Sequence, residues 1–238
     1  MVQTAPAPAV EATGQSTTTY ANFWLFRVDP SWRRLPADEK AEARADFELV
    51  LENAREGGVD LRGAYSMVGL RHDADMIFWV VTKDIDAMQR LAVAINSSAL
   101  GAYLETRYSY LGVALGSRYT SDHAPAFIKG IPPKRFLSVY PFIKTHEWYQ
   151  LPFEERRNTM AEHGRLGREY PDILTNTVSS FGIADHEFVV AFEADDVGDM
   201  VRMVEHLRPA ASRPYTALDT PIFLGIMKPL ADVLVDLG

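Results

Sequence analysis

A histidine on a predicted helix is the first residue whose position suggests chemistry. Helical spacing places His163 on one face with Met160, Leu166 and Gly167, and that face is otherwise apolar. Gly164 and Gly167 are unexpected there, because a glycine costs about 1 kcal/mol in a helix interior relative to alanine. The close approach of a flat, bulky group would explain both glycines, and an imidazole on such a face commonly binds haem iron. An ordinary buried core histidine is the alternative interpretation.

A tyrosine and a lysine follow one another on a predicted strand. Tyr140 precedes Pro141, which cannot donate a ladder hydrogen bond, so we expect the strand to be bulged or at an edge there. Such a break can turn a phenol toward a cavity, although an ordinary strand tyrosine is the alternative. Lys144 and Trp148 come next, and a lysine near a pocket can pair with a ligand carboxylate. A solvated lysine is the alternative for Lys144.

A loop histidine and two arginines complete the candidates. His123 stands between the two halves of the chain, where a loop histidine can act as a base near neutral pH. Arg208 and Arg213 follow the last large predicted helix and could hold carboxylates, or could interact with the C-terminus of that helix. The remaining histidines have no supporting context: His72, His146, His186 and His206.

An internal repeat indicates how these residues are positioned. The pattern W-x-x-L-P-x-x-E begins at Trp32 and again at Trp148, and each copy leads into a charged, helix-forming stretch. Two apolar strands, starting at Asp75 and Glu187, are likewise each followed by an acidic helix start. The chain therefore contains two similar halves.

Each half reads strand, helix, strand, strand, helix, strand, which is the ferredoxin-like order. We predict a tail over residues 1–19, a first repeat over 20–115, a linker over 116–133 and a second repeat over 134–238. Within the second repeat, the pattern predicts a helix over 153–170 and a strand over 176–183. The predicted fold class is α+β, with two ferredoxin-like repeats whose antiparallel sheets, with helices on one face, pack together.

Composition excludes several classes of function. The net charge of −8 argues against a nucleic-acid partner. The absence of cysteine excludes disulfides, iron–sulfur clusters and thiolate ligands of haem. The longest apolar run, 76–81, is far shorter than the ~20 residues that a membrane span needs, and the first residues lack the features of a signal peptide. We therefore expect a cytoplasmic protein.

The sequence resembles the coproheme decarboxylases of the chlorite-dismutase-like superfamily, above all their actinobacterial branch. The resemblance extends from about Tyr20 to the end of the chain and is most specific between Tyr140 and Tyr215. It rests on Tyr140-Pro141-Phe142, Glu147-Trp148-Tyr149, Leu151-Pro152, Glu154-Glu155-Arg156 and the run AEHGRLGREYP that starts at Ala161. Members convert iron coproporphyrin III (coproheme) to haem b by peroxide-dependent loss of two propionate carboxyl groups.

The resemblance implies a role for each candidate. His163 would be the axial ligand of the porphyrin iron. Tyr140 would form the radical that takes a hydrogen atom from a propionate, and His123 would deprotonate hydrogen peroxide. The substrate-binding residues implied are Lys144, Trp148 and Arg208. The resemblance also implies a dimeric-α+β-barrel-type domain built from the two ferredoxin-like repeats. It further implies a homopentamer with one porphyrin per chain, in the second half, and transient contact with a ferrochelatase.

One position departs from the chlorite dismutases, which carry an arginine on the strand after the helix of the axial histidine. Alignment places Asn176 there, with Thr175 or Thr177 as neighbouring possibilities. The missing arginine argues against chlorite chemistry. The alternatives left open are a chlorite dismutase or peroxidase-like haem enzyme, and a non-catalytic haem-binding protein that uses His163 alone.

Overall fold

The computed structural model describes residues 18–115 and 124–238, and the two halves follow the same order of elements. The first half contains β1 (Tyr20–Val28), α1 (Ala37–Glu56), β2 (Val59–Ser66), β3 (Met76–Thr82), α2 (Ile85–Ser97) and β4 (Leu104–Val113). The second contains β5 (Phe136–Lys144), α3 (His146–Gln150), α4 (Phe153–Gly167), β6 (Leu174–Ser179), β7 (Phe188–Ala194), α5 (Val197–His206), β8 (Thr216–Leu218), β9 (Phe223–Lys228) and α6 (Leu230–Asp236). The predicted α+β class with two ferredoxin-like repeats is confirmed.

The helix and strand bounds differ from prediction in the second half. Helix α4 ends at Gly167 and not at residue 170, because the chain tightens into a turn in which the amide of Glu169 donates to the carbonyl of Leu166 at 3.2 Å. Strand β6 begins at Leu174 and ends at Ser179, earlier than predicted at both ends. The sequence patterns did not predict α3, β8 or α6.

The strands form one closed sheet and not two separate packed sheets. Eight strands follow the order β7-β6-β4-β1-β3-β2-β9-β5, and β5 pairs back to β7. The halves join edge to edge, through Val113 opposite Ser179 on one side and through Ala64 to Ser66 against β9 on the other. Closure leaves each half without a free edge at these seams. Strand β8 extends the sheet beyond the end of β5.

A buried polar network crosses the largely apolar interior of the barrel. Alternate residues of each strand point inward, as the period of two requires. The network centres on Glu193, which is fully buried and accepts from Arg62 at 2.7 Å and from Asn176 at 3.1 Å. Arg62 also donates to the carbonyl of Ile131, so the network connects both halves with the end of the linker.

The helices of the two halves are packed differently. Phe47 and Leu51 of α1 are buried, and the Phe47 ring lies 5.9 Å from that of Phe78. Helix α4 is equivalent to α1 in the repeat, yet among the described residues Leu166 is its one fully buried side chain. The repeat register that aligns Trp32 with Trp148 also aligns Phe47 with His163, and Leu51 with Gly167. The large apolar residues that seat α1 are therefore replaced in α4 by an imidazole and a glycine.

Part of the sheet face on the helix side of the second half is correspondingly open among the described residues. A Cβ added to Gly167 would meet no described atom within 4 Å. On the outer face of the barrel, Thr177 is exposed and Val190, its neighbour on β7, is half-buried. Protein interiors are close-packed, so an uncovered central part of a sheet marks a place for something other than the protein's own side chains.

Phe47 of α1 and His163 of α4 are equivalent in the repeat, so replacing each one tests how tightly its helix is packed. We expect Phe47→Ala to lower the free energy of unfolding of the ligand-free protein by about 3–5 kcal/mol, because it empties a packed site. We expect His163→Ala at the equivalent position to cost about 1 kcal/mol, the value of one hydrogen bond. Urea unfolding of both variants measures this, and equal losses would show that His163 is a packed core histidine.

Candidate active site

The imidazole of His163 lies in the middle of α4 and is half-buried. Its Nδ1 atom is 3.3 Å from the hydroxyl of Ser212, a buried residue just before a short 3-10 helix at Arg213–Tyr215. A hydrogen bond at Nδ1 fixes the tautomer and the ring orientation, so Nε2 is the nitrogen that would bind a metal. No sequence signal singled out Ser212.

Tyr140 lies at a break in the pairing of β5. On one side β9 pairs with β5 only as far as Val139, and β8 begins at Ile143. Pro141 falls in this interval and keeps its pairing with β7 on the other side. The edge position predicted from Pro141 is thus confirmed. The Tyr140 ring lies 6.0 Å from that of Phe192, on the outer, helix-side face of the barrel.

The phenol of Tyr140 is held in its neutral form. Burial raises its pKa well above the ordinary value, and the nearby charge of Asp219 raises it further. Arg208 and Arg213 act in the opposite direction but do not cancel the effect. At neutral pH this side chain carries its proton, so it can give up a hydrogen atom but does not act as a base.

Two arginines share one carboxylate beside this phenol. Arg208 Nη1 lies 3.5 Å from Asp219 Oδ2, and Arg213 Nη1 donates to the same oxygen. The group carries net positive charge and is partly open to solvent. Since α5 ends at His206, Arg213 belongs to the following 3-10 helix and does not serve the C-terminus of α5. The carboxylate that Arg213 binds in this structure is that of Asp219.

Lys144 and Trp148 form the other wall. The ammonium of Lys144 lies 4.5 Å from the centre of the Trp148 ring, and its backbone amide donates to Glu187 at 2.8 Å. Burial lowers the pKa of Lys144 to about 8, and the charge of Arg213 lowers it in the same direction while that of Glu187 opposes it. A cation that is short of counter-charge is suited to an anionic ligand.

The segment 212–215 connects these parts. Ser212 contacts His163, and Arg213 binds the carboxylate that influences Tyr140. Tyr215 places its ring 5.4 Å from that of Trp148. The repeat could have predicted the contact between Tyr215 and Trp148. In the first half, the ring of Tyr103 lies in the same way 5.6 Å from that of Trp32.

Asn176, which alignment places at the chlorite dismutase arginine, lies on the inner face of β6. Asn176 points into the barrel, where its side chain is buried, accepts from the amide of Phe127 at 3.0 Å and donates to Glu193. Thr177 pairs with Val190, which pairs with Tyr140, so Thr177 and Tyr140 share the outer face. A slip of one residue inverts the face of a strand, so the candidates at this position are the outward-facing Thr175 and Thr177 and not Asn176.

His123 lies outside the described residues, so its predicted role stays a prediction. The described chain resumes at Ala124, and the amide of Ala126 donates to the carbonyl of Thr175 on β6 at 3.3 Å. The linker thus returns to the barrel beside the strand that carries Thr177.

Comparison with known proteins identifies the class of this fold and site. The chain belongs to the chlorite dismutase family, whose model matches residues 40–228. Within that family it is similar to the coproheme decarboxylase of Mycolicibacterium smegmatis, with 34% identity over 211 residues that cover 88% of this chain and 90% of the relative. The resemblance predicted from sequence, to an enzyme of this kind, is confirmed.

Solved structures agree on the fold. A mutant chlorite dismutase from Candidatus Nitrospira defluvii superposes with a TM-score of 0.84 at 24% identity, covering 92% of this chain and 95% of that one. The same organism's chlorite dismutase in complex with imidazole gives a TM-score of 0.84 at 23% identity, covering 94% and 96%. At these identities the likeness concerns the fold alone.

Lys144 offers a test of the site's electrostatics. Acylating reagents modify the neutral amine, so we expect the rate of Lys144 modification to rise through about pH 8 in the folded protein. The same lysine in urea should follow an ordinary lysine, with a rise more than one pH unit higher. Peptide mapping by mass spectrometry measures both profiles, and coincident profiles would show that burial does not shift the pKa of Lys144.

Proposed function

We propose that this protein catalyses the peroxide-dependent oxidative decarboxylation of two propionates of iron coproporphyrin III, giving haem b. The observation that carries the proposal is the half-buried Tyr140 phenol, which its raised pKa keeps neutral, beside cationic side chains on a sheet face where α4 contributes one buried side chain among the described residues. The name of the Mycolicibacterium relative supports the same reaction.

The residues present fit an iron porphyrin as the substrate. A flat macrocycle can approach α4 where Gly167 leaves room, and Nε2 of His163 would bind its iron. Trp148 provides a buried aromatic wall. The carboxylates of the macrocycle would pair with Lys144 and Arg208, whose charges lie on the side of Tyr140.

Arg213 belongs in this proposal beside Arg208. Both contact Asp219 in the ligand-free protein, and one carboxylate cannot neutralise two guanidinium groups. The surplus positive charge attracts a propionate and holds its carboxyl group close to Tyr140. Lys144, with its lowered pKa, gains a counter-charge when a second carboxylate binds.

Iron oxidised by hydrogen peroxide supplies the oxidising power of the reaction when the porphyrin is bound. Tyr140 loses its hydroxyl hydrogen as an electron and a proton, and the resulting radical takes a hydrogen atom from the propionate β-carbon. A second electron then leaves the side chain, carbon dioxide departs and a vinyl group remains. For each propionate carboxylate, one peroxide accepts both electrons, takes up the one released proton and a second proton from solvent, and becomes two waters.

The high pKa of Tyr140 matters for this step. A phenol that keeps its proton must release it together with the electron, so the radical formed is neutral and ready to abstract hydrogen. Its fixed position beside the bound carboxylate directs that abstraction to one carbon. His123 would deprotonate the incoming peroxide, as the resemblance implies.

A chlorite dismutase or peroxidase-like activity is the second candidate, since the solved neighbours named above are chlorite dismutases. The outer-face position of β6 that is nearest to Tyr140 in register carries Thr177, and its neighbour Thr175 is also uncharged. Neither residue supplies the arginine of chlorite dismutases. A non-catalytic haem-binding role leaves the phenol of Tyr140 unexplained.

The proposal also covers the location of the protein, its oligomeric state and a partner. As the resemblance implies, we propose a cytoplasmic homopentamer that receives coproheme in transient contact with a ferrochelatase. Within the described residues, none of the helices combines the length and apolar character needed to cross a membrane.

Tyr140→Phe tests the proposed reaction directly. The variant should bind iron coproporphyrin III with little change, because the ring remains, but it should release no carbon dioxide when peroxide is added. The mass of the tetrapyrrole after stepwise peroxide addition measures this; wild type should lose two carboxyl groups in turn.

Tyr103→Phe is the matched control, since it removes a phenol at the equivalent of Tyr215 in the first half. It should turn over like wild type. Normal turnover by Tyr140→Phe would remove the tyrosine from the mechanism.

A further inference from the structure

Polar contacts attach α4 to the segment that follows α5. Glu162 Oε2 accepts the amide of Ala211 at 3.1 Å, and His163 Nδ1 lies 3.3 Å from Ser212 Oγ. Two residues beyond α4, Glu169 Oε2 lies 3.2 Å from Nε2 of His206, the last residue of α5. These contacts are prominent because α4 has so little buried apolar surface.

Two adjacent residues of α4 meet two adjacent residues of the loop. Glu162 binds the backbone immediately before Ser212, and Ser212 reaches the imidazole that follows Glu162. The two contacts therefore close a small ring between the helix and the loop. Ser212 is buried, which shields its hydrogen bond from water, whereas Glu162 is exposed.

We propose that Ser212 and Glu162 are positioning residues for the axial ligand, an inference that rests on the proposed role of His163 in binding the porphyrin iron. With Nε2 directed to the iron, Nδ1 carries the proton and donates it to the hydroxyl oxygen of Ser212. Glu162 holds the Ala211 amide and so fixes where the Ser212 hydroxyl stands.

The expected consequence is electronic as well as geometric. An acceptor at Nδ1 increases the basicity of the imidazole and strengthens its bond to the metal. A hydroxyl is a weaker acceptor than a carboxylate, so this chain sets an intermediate ligand strength. Glu162 acts through the position of Ser212 and does not touch the imidazole nitrogen itself in this arrangement.

The test uses the full chain loaded with iron coproporphyrin III. Ser212→Ala removes the acceptor, so the iron–imidazole stretching band of the ferrous complex should move to lower frequency, and porphyrin affinity should fall about 10-fold. Glu162→Ala should shift the band in the same direction by less. Glu162→Gln keeps an acceptor oxygen for the Ala211 amide and should restore the wild-type band.

Glu154→Ala is the matched control. Glu154 lies on the same helix, pairs with Arg157 at 2.7 Å and is exposed. Losing it should leave the band unchanged, although the unfolding temperature can fall slightly. Resonance Raman spectra and unfolding temperatures of all variants, at equal porphyrin occupancy, separate a positioning role from a general loss of helix stability.

The outcomes separate this inference from the proposed function. An unshifted band in Ser212→Ala overturns the role of Ser212, and equal spectra for Glu162→Ala and Glu154→Ala overturn that of Glu162. Ser212→Thr retains a hydroxyl and should keep the wild-type band. This variant provides a second test of the Ser212 hydroxyl if the alanine variant folds poorly. If His163→Ala keeps the iron–imidazole band, the axial-ligand assignment in the proposed function fails instead.

Discussion

The separation of α4 from the sheet is the constraint on which the rest of the site depends. Helix α1 is seated by Phe47 and Leu51, whereas α4 carries His163 and Gly167 at the equivalent positions and is attached by polar contacts to the loop after α5. One repeat thus forms a closed apolar layer, whereas in the other, among the described residues, the helix buries little apolar surface. The fold is common to both halves, and we propose that this difference in packing lets the second half accept a flat ligand.

The charged groups of the site are positioned by the segment that follows α5 in the same half of the chain. The segment 212–215 follows α5 and contacts, in order, the imidazole of His163, the carboxylate of Asp219 and the ring of Trp148. Because these contacts come from one segment of four residues, the His163 imidazole, the cationic group and the aromatic wall are fixed relative to one another. Tyr140 is neutral at this position since burial and Asp219 both raise its pKa.

Much of the architecture could be predicted from the sequence, because repeats and strand periods are local signals. The motif shared by Trp32 and Trp148 gave the two halves, and Pro141 marked the break in β5. The sequence could not decide between Asn176 and its neighbours Thr175 and Thr177, since alignment across a strand is uncertain by one residue and each residue reverses the face. Ser212 and the closure of the barrel depend on contacts between distant segments, for which a single sequence carries no signal.

The most direct test of the central claim is a crystal structure of the protein with iron coproporphyrin III bound. The account predicts the macrocycle between α4 and the outer face of β5 to β7, with Nε2 of His163 within bonding distance of the iron and a propionate beside the Tyr140 hydroxyl. A macrocycle bound elsewhere, or an α4 that closes onto the sheet and leaves no space, would contradict it.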